Sequence, residues 1–282
     1  MSEKERRLRV QRILLALDAS SSDASMLAAA VELAARFQAE LLGLFVEDAD
    51  LFRLAGNSSV RAVDALLAAH HDLDSRQIER LLRVQASRMR RSLTTAAERL
   101  EVSVSFRVRR GEIASEVLAE AEEADVLVLG KSGWALVRSR RISPVVRAVL
   151  FESPVPILLL HPGMQLGFPV LVVYDGGPLS NRALDAAVDL AGRDDGRLLV
   201  LVLGDGMTHA IDLQSHVEQR LEGHEVQARY NLLTKSNVSK IASIVQTGSG
   251  GTLVLPAKSS VLHDEALMSL LDEVNVPVLL VR

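Results

Sequence analysis

Ile13-Leu-Leu-Ala-Leu-Asp18 returns, 157 positions later (170 against 13), as Val170-Leu-Val-Val-Tyr-Asp175. Each stretch is a short apolar run that ends on an aspartate, and the correspondence continues without a gap for about 36 residues. Leu27 falls on Leu184, Val31 on Val188, Leu33-Ala34 on Leu190-Ala191 and Asp48 on Asp205. The ends agree as well: Val126-Leu-Val-Leu129 resembles Leu253-Val-Leu255, and Ser153-Pro-Val-Pro-Ile-Leu-Leu-Leu160 resembles Val274-Asn-Val-Pro-Val-Leu-Leu-Val281. A repeat of this length means two copies of one folding unit. The expected units are 1–162 and 163–282, joined near His161-Pro-Gly-Met-Gln-Leu-Gly167, a stretch with the Pro and Gly of a linker.

Within the first copy, residues 13–17, 41–46, 102–108, 126–129 and 157–160 read as strands. Their few polar interruptions suit strands covered on both faces. Helical spacing links Met26, Ala29, Ala30, Leu33 and Phe37. It links Ile78, Leu81, Leu82, Met89, Leu93, Ala96 and Leu100 in a longer helix, then Ile113, Val117, Leu118 and Ala121, then Val145, Val146 and Val149. This β-α-β-α order predicts an α/β fold: two tandem Rossmann-like, open, parallel five-stranded sheets with helices on both faces. Ligands of such sheets bind beyond the C-terminal strand ends, where the winding reverses. The copies differ in length between strands two and four. Asp48 to Gly130 spans 82 positions and Asp205 to Pro256 spans 51, so the first copy carries an insertion at about 51–80. A lid and a plain decorated connection are equally compatible with it.

Composition narrows the function. Aromatics are 3% of the chain, too few for stacking platforms on single-stranded nucleic acid. The net charge of −4 offers no general attraction to nucleic acid or anionic membrane. With no cysteine there are no disulfides, thiolate metal sites or cysteine nucleophiles. The apolar run after the charged N-terminus is too short for a signal peptide. No stretch reaches the roughly 20 apolar residues of a membrane span. The expectation is a cytoplasmic protein without nucleic-acid or membrane partners. His70-His71 with Asp72 and Asp74 holds metal-friendly atoms, but adjacent residues rarely converge on one ion, and no metal site is assigned.

The candidate ligand site lies in the first copy. Asp18 follows strand one, at the crevice, where it can recognise a base or ribose, or simply shape a turn. Gly130-Lys-Ser-Gly133 follows strand four. Glycine there lets backbone N–H groups approach a phosphate. Arg138, Arg140 and Arg141 come next and can pair with phosphate oxygens, or form a solvated loop. Ser143-Pro144 then opens a helix. Arg107, Arg109 and Arg110 close strand three near the same end, adding positive potential there or standing in solvent.

The pattern strand-Asp18-helix, then Gly130-x2-Gly133-x9-Ser143, then a last strand containing Pro156, resembles the universal stress protein family over nearly the whole chain. ATP-binding members carry G-x2-G-x9-G followed by Ser or Thr. The resemblance implies a stress-linked regulator, not an enzyme. It implies an adenosine site at Asp18 and at Phe45 or Val46, with phosphates at Gly130 and Gly133. Relatives pair through their last strands, which implies an internal pseudo-dimer between 157–160 and 278–281, and leaves a further homodimer open. The departures bear directly on ATP. Ser143 stands in place of the third Gly, and Pro144 in place of the hydroxyl residue. Proline has no N–H to give a phosphate, although Pro after a Ser cap starts a helix well. Weak nucleotide binding, binding of another anion, and an empty site are all compatible with this. In the second copy the loop reads Pro256-Ala-Lys-Ser259, without glycine and five residues shorter, while Asp175-Gly-Gly177 remains. That copy reads as a structural partner that has lost the phosphate loop. The competing readings are an adaptor acting through protein contacts and an enzyme of the adenine-nucleotide α-hydrolase group. The enzyme would need a glycine pair after strand one, where the chain has Ala19 to Ser22. No catalytic residue is therefore assigned.

Overall fold

The computed structural model describes residues 10–17, 24–56, 75–131, 133–134, 142–161, 163–234, 238–247, 251–259 and 262–282, with the side chains of 53–56 and 75 left aside. Asp18, Arg138, Arg140, Arg141 and the pair His70-His71 lie outside the described residues. The chain forms two compact units, Val10–Pro154 and one that includes Val155–Arg282.

In the first unit the order is β1 (Arg12–Leu17), α1 (Ala24–Phe37), β2 (Glu40–Asp48), α2 (Ala49–Gly56), α3 (Ser75–Glu98), β3 (Val104–Gly111), α4 (Ile113–Ala121), β4 (Val126–Gly130) and α5 (Pro144–Glu152). Its strands lie side by side as β3-β2-β1-β4, all parallel. Residues 13–17 and 41–47 are buried without a break, as strands covered on both faces must be. The α/β class and the parallel winding are as the sequence predicts. β3 runs three residues further than expected, to Gly111, because β2 itself continues to Asp48 and gives it a partner.

The long helix α3 turns a different face inward than the leucines suggest. It buries Ile78, Leu82, Ala86, Met89, Leu93 and Ala97, while Leu81 is 38% exposed and Leu100, just past the helix, 49%. Small alanines sit on the inner face where α3 packs against the sheet and α1. Gly43 of β2 marks the tightest approach: a Cβ there would lie 2.6 Å from Leu93 Cδ2. Of the expected insertion at 51–80, the described parts belong to α2 and α3.

The second unit holds β5 (Ile157–Leu160), β6 (Val170–Tyr174), α6 (Pro178–Gly192), β7 (Arg197–Gly204), α7 (Met207–Leu221), β8 (Gln227–Thr234), α8 (Val238–Thr247), β9 (Thr252–Pro256), α9 (Asp264–Glu273) and β10 (Val278–Val281). The strand order is β5-β10-β9-β6-β7-β8. Only the β5–β10 pair is antiparallel, with Leu158 opposite Leu279. The expected pairing of the two closing strands is thus present. Its effect is that the strands divide four and six between the compact units, where equal sheets of five were expected: β5, the first repeat's last strand, sits beside β10. Gly251 precedes β9 where only glycine fits, since a Cβ would come within 2.0 Å of the Pro169 carbonyl oxygen. Among the described residues no helix is long and apolar enough to cross a membrane.

Candidate functional site

In the first unit the winding reverses between β1 and β4, so the crevice opens at Leu17, at the end of β2 and at Gly130. β1 pairs with β2 as far as Leu17 opposite Phe45. β2 then continues three residues, to Asp48, paired only with β3 on its far side. The backbone edge of Val46–Asp48 therefore faces the crevice. The side chains of Phe45 and Val46 are buried, at 0% and 4% exposure. If these two residues meet a ligand they do so through main-chain groups, and Phe45 itself is core.

The loop after β4 is tightly braced. Gly133 N–H donates to the Gly130 carbonyl at 2.9 Å, and Ser143 N–H donates to the Lys131 carbonyl at 3.3 Å. Lys131 is buried between the two glycines, 2% exposed. A Cβ on Gly130 would meet Met26 Sδ of α1 at 3.3 Å, so the floor of the loop is already close-packed. Ser143 is buried and makes two bonds. Its hydroxyl donates to the Gly133 carbonyl at 2.5 Å and accepts from Val146 N–H at 3.2 Å as the helix cap. Pro144, at the first helical position, has no N–H. Among the N–H groups of the first helical turn, Val145 alone has no partner among the described residues; Arg147 donates to the Ser143 carbonyl. The structure thus brings Gly130, Gly133 and Ser143 together, but it spends on internal bonds most of the donors a phosphate would use.

The cations of β3 are not available to the crevice. Arg107 and Arg109 both bind Glu120 of α4, at 2.5 and 2.6 Å. Arg110 binds Glu47 at 2.7 Å and stacks over Phe52, 4.3 Å from the ring centre. Glu120 is 5% exposed. Burial works to raise its carboxyl, but the hydrogen bonds from Arg109 and Arg107 prevail and hold it below the usual carboxylate range. The hydrogen bond from Glu120, then that from Glu123, raises Arg107 above its ordinary value. The expectation of free positive potential from these arginines is corrected: the carboxylates that answer them lie on α4 and β2.

At the equivalent place in the second unit, Asp175 closes the crevice with its own carboxylate. Oδ1 accepts from Gly177 N–H at 3.0 Å and from the Ser180 hydroxyl. Oδ2 accepts from the Ser259 hydroxyl at 2.6 Å, and Ser259 Oγ in turn accepts from Leu262 N–H at 3.0 Å. Ser259 stands where the first copy has Gly133. Sequence reasoning missed this staple; its only local sign is a serine five positions after the aspartate.

Among the described residues no group of three or more His, Asp or Glu side chains could hold a metal ion. The profile of the universal stress protein family matches residues 9–161. Among curated proteins none matches the chain. Among solved structures the chain is similar to a universal stress protein from Archaeoglobus fulgidus DSM 4304, at 17% identity over 98% of each chain and a TM-score of 0.73. It is also similar to a functionally unknown protein from Pseudomonas aeruginosa PAO1, at 16% identity over 97% of this chain and 93% of that one, with a TM-score of 0.65. At such identities the likeness is one of fold, and it extends over both repeats.

Proposed function

Since the chain belongs to the universal stress protein family, we propose that it is a stress-response regulator whose first unit is the ligand-responsive one. The ligand is ATP, another adenine nucleotide or a comparable anion, bound without turnover in the cytoplasm. The reading rests most on the asymmetry of the two crevices. The first keeps Gly130 and Gly133 directly after β4, beside the open backbone edge of β2. The second is stapled by Asp175, Ser180 and Ser259. Asp18 and the β2 edge would receive the base and ribose; Gly130 and Gly133, with Arg138, Arg140 and Arg141, the phosphates. Magnesium would enter only with the nucleotide.

A specific observation favours a second reading. Ser143 spends its hydroxyl on Gly133 and Val146, and Pro144 has no N–H. An adaptor that needs no nucleotide would tolerate both. Titration calorimetry of the nucleotide-stripped protein with ATP and magnesium separates the two. One site of micromolar affinity, lost in Gly133→Val because the side chain fills the phosphate's space, supports the nucleotide reading. No heat up to millimolar ATP refutes it in favour of the adaptor.

A further inference from the structure

A cleft of about 370 Å³ lies between α6 and α7 of the second unit, lined by Tyr174, Gly176, Asn181, His216, Gln219 and Arg220. At about 30 Å³ per water it has room for roughly a dozen, the size of a small organic acid. It lies against the helices, away from the loop after β9.

The repeat supplies an internal control. At the 157-residue offset, Tyr174 stands where the first copy has Leu17, Asn181 where it has Ala24, and Asp185 where it has Ala28. Leu17 is fully buried and the two alanines are exposed, so the fold requires no polar group at any of the three. The second copy places a phenol, an amide and a carboxylate there, and α7 adds a guanidinium.

The arrangement favours an acceptor-rich ligand. Arg220 Nη2 lies 2.6 and 2.8 Å from the two oxygens of Asp185, so the one anionic group is answered within the protein. Arg220 Nε is buried and has no hydrogen-bond partner among the described residues. A buried donor left unmade is costly, and an oxygen ligand would satisfy it. The Tyr174 hydroxyl donates to Asn181 Oδ1 at 3.0 Å, which leaves the Asn181 amide N–H groups for a guest. Burial pushes the Tyr174 hydroxyl above its ordinary range, so it stays a donor. His216 and Gln219, exposed on α7, supply further N–H groups at the rim.

We propose that this cleft binds a small oxyanion, the carboxylate or phosphate group of a metabolite-sized molecule, through Arg220 Nε and the Asn181 amide. The proposal is independent of nucleotide binding in the first unit. The test is nitrogen-15 NMR of the arginine Nε–H signals of the full chain. Inorganic phosphate and malonate are titrated separately, with sodium chloride at matched ionic strength as the control. The Arg220 signal is identified by its loss in the double variant Asp185→Ala with Arg220→Met, which strands no charge. The expected result is a saturable shift of that signal with phosphate or malonate and not with chloride. Asn181→Ala, which restores the first copy's residue, should weaken it about tenfold. The anion that saturates first tells a phosphoryl from a carboxyl ligand. No saturable shift with either anion, or the same shift with chloride, overturns the proposal. The readout is one side chain of the second unit, so its failure and a failure of ATP binding in the first are told apart.

Discussion

Replacing Ser143 by Gly and Pro144 by Ser together should tighten ATP binding while costing stability. The structure gives both magnitudes. Pro144→Ser supplies an N–H and a hydroxyl at the first helical position. Ser143→Gly frees Val146 N–H, now 3.2 Å from the Ser143 hydroxyl, and the Gly133 carbonyl. A hydrogen bond to a charged group contributes about 1.5–3 kcal/mol, and 1.4 kcal/mol is a tenfold change. Each donor that reaches phosphate should therefore improve affinity by about 10- to 100-fold. Against this, Ser to Gly at a helix cap costs only a few tenths of a kcal/mol, and losing Pro at a compatible position about 0.4–1. The helix should survive, with a melting midpoint lower by a few degrees at about 2–4 °C per kcal/mol. Titration calorimetry of wild type and double variant, beside thermal melts, reads both numbers. A folded variant with unchanged ATP affinity would refute the reasoning, because the donors at α5 would then not be what limits the site.

Two more expectations concern the neighbouring contacts. Asp175→Ala should leave ATP binding unchanged yet lower the second unit's stability by about 1–3 kcal/mol, the cost of stranding its donors; a large affinity loss in calorimetry would show the second crevice to be a ligand site. Glu120 titrates below its unfolded value, so its contribution is full above the unfolded carboxylate range and is lost as pH falls through the lower, folded one. Acid titration of the melting midpoint should therefore fall more steeply in wild type than in Glu120→Gln, and parallel curves would contradict the pairing.

The repeat made the fold legible. An apolar run ending on Asp18 and again on Asp175 locates β1 and β6, and the recurring Pro-x-Leu-Leu pattern locates the closing strands. The inner face of α3 was less legible, because periodicity favours Leu81 and Leu100 whereas the close approach to β2 selects Ala86 and Ala97. The site divides the same way. Ser143 before Pro144 announces a capped helix within four residues, and the cap is there. The partners of Arg107, Arg109, Arg110 and Asp175 lie elsewhere in the chain: Glu120, Glu47 and Ser259 are brought up by the packing of whole elements, and no local pattern encodes them.

The antiparallel pairing of β5 with β10 has a consequence for how the protein is made. Leu158 and Leu279 meet across that pair, yet a ribosome delivers them more than a hundred residues apart. At roughly 5–20 residues per second, β5 waits about 6–24 s before its partner is synthesised. For that time a four-residue, wholly apolar edge is unprotected, the kind of edge that recruits strands from neighbouring nascent chains. The last residues to leave the ribosome are thus the ones that end this exposure, and the speed of translation over the second half sets how long the newborn chain depends on chaperones.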